Sequence, residues 1–234
     1  AWARLHRGDA EPPPKAAGAL AAWTAFHAGR FGDAVEAGLA SGGAGINAAT
    51  KAQTVYATYL EKNEKAKLAL FEEAAGWADE RRRQVPRDAN AHYLYAFALG
   101  RYSQGLSIAK ALKDGIAGKV RTALDTTLSL APKHAEAHTA MAIYHGEIIN
   151  KIGAMIGGLT YGAKASEAEK HIKEALKLTP ASPITNIEHG NLLMLLHGDK
   201  KEDAAAGAYE KAAACKPQDA MEALDAAYAK SELE

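Results

Sequence analysis

The chain has 234 residues, with 28 Lys and Arg against 28 Asp and Glu and 48% apolar side chains. That length buries a sizeable core in one large or two small domains, and zero net charge spread along the chain speaks against nucleic acid as the main partner. Apolar runs such as residues 192–196 fall far short of the roughly 20 needed to cross a bilayer, and the lone Cys215 excludes an internal disulfide and CxxC-type metal sites.

Fifty-four alanines against four valines shift the composition towards helix formers, so the expected fold class is all-α. The first residue is Ala rather than Met, from which we expect that an initiator or a processed segment preceded it. Residues 1–15 include Pro12, Pro13 and Pro14, which forbid a helix interior and predict an extended N-terminal arm. Residues 16–234 read as a single helical-repeat domain.

A first helix pair turns near Gly29, between a helix ending near Ala28 and one starting near Gly32. Gly42, Gly43 and Gly45 follow no strand and precede no GK[ST], so they read as a linker rather than a phosphate loop. A second pair spans 48–60 and 64–83. Pro86, Pro132, Pro180 and Pro217 then each follow a helical stretch, at pitches of 46, 48 and 37 residues.

The segments after two of these prolines match. "ANAHYLYAFALG" from Ala89 and "AEAHTAMAIYHG" from Ala135 share Ala91/Ala137, His92/His138, Ala96/Ala142 and Gly100/Gly146. The last pitch approaches the roughly 34 residues of a plain helix-turn-helix repeat. The two longer units carry apolar, Gly-punctuated insertions between first and second helix, at 103–118 and 150–164, which predict short packed helices rather than loose loops.

Small residues where the two helices cross, Ala opening a helix and Pro closing the unit together resemble the tetratricopeptide repeat. "GAYEKAAACKP" and "EAEKHIKEALKLTP" carry the likeness best. From Asp88 to Pro217 the progression with its long insertions also resembles the periplasmic T component of TRAP-type solute transporters, and is similar to the regulator of microtubule dynamics family. The first resemblance implies an all-helical accessory protein that docks a solute-binding partner and offers an apolar channel or cavity to a hydrophobic ligand.

Candidate chemistry is sparse. His134, His138 and His145 share one helix stripe, within about 40° of one another, but they spread over roughly 16 Å and cannot all reach one ion. Inter-helix or surface polar contacts are expected instead, with a His134/His138 metal pair as the alternative. Gly153, Gly157 and Gly162 with Ile152, Met155, Ile156 and Leu159 read as a close-packed helix, the alternative being a cavity wall that Leu106, Ile108, Ala109 and Leu112 would share. Arg81, Arg82, Arg83 and Arg87 read as a solvated helix C-terminus, with an acidic partner as the alternative. Cys215 has no His or acid in nucleophile-like spacing and reads as an inert thiol, and no catalytic arrangement emerges, so the chain is not expected to be an enzyme or to hold a metal or cofactor.

In stacked helix pairs the first helices line a face free to specify a partner. The repeat register places Tyr93, Phe97 and Arg101, then Thr139, Ile143 and Glu147, then Ile187, Asn191 and Met194 there. This mixed, mainly apolar groove suits a peptide segment or an apolar small molecule and lacks the cations of a carboxylate clamp. The expected function is a non-enzymatic protein-binding module, in bacteria a periplasmic accessory protein whose partner is a solute-binding protein. A carrier holding a lipid-like molecule and a cytoplasmic scaffold are the alternatives, and the oligomeric state stays open.

Overall fold

The computed structural model describes residues 1–234, and these form helices and turns with no strand. Helix α1 (Trp2–Leu5) opens the chain, so the expected extended arm holds only from about Ala10 to Pro14, where the prolines deny backbone donors.

The chain forms two compact units. The first comprises Trp2 and residues 11–132. Its helices are α2 (Ala17–His27), α3 (Phe31–Ser41), α4 (Gly45–Tyr59), α5 (Glu64–Gln84), α6 (Ala89–Gln104), α7 (Ile108–Lys113) and α8 (Ile116–Leu130). Each long helix packs on the next, and α2, α4 and α6 also pack successively on one another, the arrangement expected of first helices in a stack of pairs.

Alanine makes this stacking close. Ala22, Ala34, Ala48, Ala52, Ala74 and Ala98 are wholly buried, while Trp23, Phe26, Val55, Leu94 and Leu124 fill the space between helices. At the α3/α4 crossing even alanine is too large: a Cβ on Gly38 would stand 2.5 Å from the Gly45 carbonyl oxygen.

The second unit comprises residues 1, 3–10 and 133–234. Its helices are α9 (Ala135–Ile152), α10 (Ala154–Tyr161), α11 (Ala165–Leu178), α12 (Pro183–His197), α13 (Glu202–Ala213) and α14 (Ala220–Ser231), with a 3-10 turn at Gly198–Lys201. Helices α9, α12 and α14 pack successively, with α11 and α13 beside them. Ala142, Ala168, Ile172 and Leu192 form one core cluster, and Ile187, Ala212 and Ala229 another.

The prolines stop helices as the sequence predicts. Helices α5, α8, α11 and α13 end two to four residues before Pro86, Pro132, Pro180 and Pro217. The next helix then starts on a side-chain cap: Asp88 accepts from the Ala91 N–H, His134 from Ala137, Ser182 from Thr185 and Asp219 from Glu222. The two insertions hold the short helices α7 and α10, as expected from their composition.

Candidate partner-binding faces

Tyr93, Phe97 and Arg101 sit one turn apart on α6 and form a ladder in the first unit. The Tyr93 and Phe97 rings are nearly parallel, with centroids 5.9 Å apart, and the Arg101 guanidinium lies 5.7 Å from the Phe97 ring. Tyr93 is buried, whereas Phe97 and Arg101 are half-buried and present one aromatic and one cationic surface.

Of the six residues placed in the second unit, two serve the core. Thr139 is buried, its hydroxyl donating to the Ala135 carbonyl at 3.1 Å and lying 3.5 Å from Thr185. Ile187 belongs to the cluster with Ala212 and Ala229. Tyr93 is buried as well, so these three offer little surface to a partner: spacing finds the helix face but not how much of it is covered.

The other four retain some surface. Ile143 packs by one side on the cluster around Ala142, and Glu147 pairs with Lys151 at 3.0 Å. The Asn191 side chain accepts from the Tyr209 hydroxyl at 2.6 Å and donates to Glu188 at 2.9 Å. Burial raises the Tyr209 pKa well above the usual phenol value, so this hydroxyl remains a donor to Asn191. Met194 is exposed.

The glycine-spaced insertion packs closely by one side only. Helix α10 approaches α9 through Gly157, where a Cβ would meet Ile148 Cγ2 at 2.9 Å, and the Tyr144 hydroxyl donates to the Tyr161 carbonyl at 3.3 Å. Met155, Ile156 and Leu159 are consequently turned outward, 76%, 55% and 85% exposed. Ile108 and Leu112 of α7 are also exposed, in the first unit.

The histidine stripe divides by role. His134 Nδ1 accepts from the Ala137 N–H at 3.0 Å as the α9 cap, which removes that nitrogen from a His134/His138 metal pair. His138 instead meets His171 of α11, and buried His145 stacks on His171 at 6.3 Å while its Nδ1 accepts from the Lys164 N–H.

The arginine run is folded back rather than simply solvated. Arg81 pairs with Asp88 at 3.0 Å, Arg82 and Arg83 both pair with Asp79, and the Arg82 guanidinium lies 4.3 Å from the Tyr95 ring. Burial and nearby Glu222 raise the Cys215 pKa, which keeps the thiol protonated and a poor nucleophile.

One polar cluster has no local signal in the sequence. Asn47 of α4 donates to both carboxylate oxygens of buried Glu11 at 3.3 Å and to those of Asp88 at 3.4 Å. The Trp2 indole N–H donates to the Glu11 carbonyl at 2.6 Å. Thirty-six residues separate Glu11 from Asn47, and no periodicity connects them.

No protein-family profile and no curated protein matches the chain. Among solved structures it is similar to a thermophilic TPR protein of Thermus thermophilus, at 18% identity and a TM-score of 0.58 over 87% of this chain and 92% of that one. The fold is therefore tetratricopeptide-like.

Proposed function

We propose that this chain is a non-enzymatic protein-binding module. The observation that carries the reading is the outward apolar side of α10, where Met155, Ile156 and Leu159 stand in water on a helix held in place by Gly157 and Tyr161. Exposing three large apolar side chains together is unfavourable unless a partner covers them. The half-buried Phe97 and Arg101 add an aromatic and a cation of the kind enriched at interfaces. The tetratricopeptide-like fold of the Thermus protein adds general support, since stacked helix pairs leave side chains uncommitted to packing.

In its narrower form the reading is a periplasmic accessory component of a bacterial solute-uptake system, with a solute-binding protein as partner. It rests on the resemblance of residues 88–217 to the T component of TRAP-type transporters. A second reading, a carrier of a lipid-like molecule, draws on the same α10 side chains.

The test is capture of partners from the source cell by the wild-type chain and by a Met155→Lys, Leu159→Lys variant, with helicity followed by circular dichroism. A protein retained by the wild type and lost by the equally helical variant supports the module. Equal capture by both moves the contact off α10, absence of any captured protein removes the module, and a lipid co-purifying with the wild type alone turns the reading to the carrier. Fractionation of cells expressing the full-length gene decides between periplasm and cytoplasm.

A further inference from the structure

The outward side of α10 carries one oxidisable group among its apolar side chains. Of Met155, Ile156 and Leu159, only Met155 has an atom that can gain oxygen, its thioether sulfur. Leu159 stands one turn along the same face, about 40° round the helix, so a change of polarity at Met155 alters the middle of the patch.

Burial sorts the four methionines. Met155 is 76% exposed and Met194 38%, Met221 is half-buried, and Met141 in the α9 core is 1% exposed. An oxidant arriving from solvent therefore reaches Met155 first and Met141 last.

The fold also tolerates the product at Met155. Helix α10 rests on α9 through its other side, where a Cβ on Gly157 would meet Ile148 Cγ2 at 2.9 Å and the Tyr144 hydroxyl donates to the Tyr161 carbonyl. An oxygen added to the Met155 sulfur projects into water, and the helix keeps its seat. The same oxygen on Met141 would be enclosed by apolar carbon.

The oxidant class is a two-electron oxygen donor such as hydrogen peroxide. A sulfur lone pair attacks one peroxide oxygen, the S–O bond forms as the O–O bond breaks, and the departing hydroxide takes the proton left on the transferred oxygen. Sulfoxide and water result: sulfur is oxidised by two electrons and peroxide is reduced by two. The reverse step releases that oxygen as water while two thiols become a disulfide, the reaction of methionine sulfoxide reductases.

A sulfoxide is a strong dipole with an acceptor oxygen. In water it is solvated, but under an apolar partner surface it loses that hydration, and its neighbours Ile156 and Leu159 offer no donor in return. We propose that Met155 is a reversible oxidation site that turns the α10 docking surface off under peroxide and on again under thiol reduction. This rests on the reading of α10 as a partner contact and adds its regulation.

The folded full chain is treated with hydrogen peroxide at a dose that just completes Met155, and each methionine is followed by peptide mass spectrometry. Met155 should be oxidised at least about tenfold faster than Met141 and ahead of Met194. With helicity unchanged, the oxidised wild type should elute earlier from phenyl-agarose and bind the protein that the untreated chain captures about tenfold more weakly. Methionine sulfoxide reductases of both epimer specificities with dithiothreitol should restore both properties. At the same dose Met155→Leu, close in volume and without sulfur, should keep both. Cys215→Ser should respond as the wild type does, since the raised pKa of Cys215 leaves it a poor nucleophile. The proposal is overturned if another methionine is oxidised ahead of Met155, if Met155→Leu loses as much as the wild type, or if Cys215→Ser becomes insensitive. Capture that persists through complete Met155 oxidation overturns the switch and leaves the module standing, whereas an untreated chain that captures no protein removes both.

Discussion

His138 of α9 and His171 of α11 meet nitrogen to nitrogen, Nδ1 to Nδ1, at 2.8 Å. One of the two must carry the proton and the other accept it, so the rings are complementary only in opposite tautomeric roles at these atoms. The contact ties the two helices of one pair together beside the Ala142/Ala168 core. A cycle of His138→Ala, His171→Ala and the double variant, unfolded in urea, should show a coupling of about 1 kcal/mol. Strict additivity would mean the contact contributes nothing to stability.

Gly38 and Gly76 should respond oppositely to alanine. At Gly38 the new Cβ meets the Gly45 carbonyl oxygen at 2.5 Å and the Ala49 Cβ at 2.9 Å, so α3 and α4 must separate. Gly38→Ala should therefore cost about 1–3 kcal/mol. At Gly76, inside α5, a Cβ meets nothing within 4 Å, and Gly76→Ala should stabilise by about 0.5–1 kcal/mol through helix propensity. An unchanged or raised melting temperature for Gly38→Ala would refute the close crossing, and a lowered one for Gly76→Ala would refute the open site in α5.

Periodicity and punctuation make the fold legible. The recurrent prolines and the matched "AHYLYAFALG" and "AHTAMAIYHG" stretches predict α6 and α9 with their small crossing residues, and Ala96 and Ala142 are indeed buried. The candidate face is only partly legible, because helical spacing identifies one side of a helix but not how far the next helix covers it. That is why Phe97 and Met194 keep surface while Thr139 and Ile187 do not. The outward turn of the α10 side chains escapes the sequence for a related reason: glycine spacing reveals a close approach, and Gly157 makes one, but the two-sided apolar composition does not say which side is left in water. Contacts such as Glu11 with Asn47 and Arg82 with Tyr95 depend on tertiary proximity that no local pattern encodes.

Acid should weaken the fold through His189. Burial lowers its pKa below the usual value of about 6.5, and nearby Lys211 lowers it further, so the folded chain holds this ring neutral. The unfolded chain binds the proton more readily, and stability therefore rises with pH across the interval between the two pKa values. Its contribution is present above the unfolded pKa and is lost as pH falls through the folded one. The melting temperature should drop on acidification from about pH 7.5 to 5 more steeply in the wild type than in His189→Gln. Parallel curves would assign the acid sensitivity to other groups.

Phe97→Asp and Ile143→Asp separate a partner-facing side chain from one that chiefly packs. Ile143 leans on Ala142, Ala168, Ile172 and Leu192, so a carboxylate there is desolvated against apolar carbon and should cost about 2 kcal/mol or more. Phe97 loses its stack on Tyr93, but an aspartate in its place lies four residues before Arg101 and gains an i,i+4 ion pair in the favourable order. Phe97→Asp should accordingly keep its helicity and lose no more than about 1 kcal/mol. If α6 contributes to partner recognition, this variant loses capture while still folded, because a negative charge replaces the apolar surface beside Arg101. Intact capture by Phe97→Asp would exclude α6 from the interface and leave α10 as the remaining apolar contact, whereas a large fall in melting temperature would show that Phe97 serves the core of the first unit.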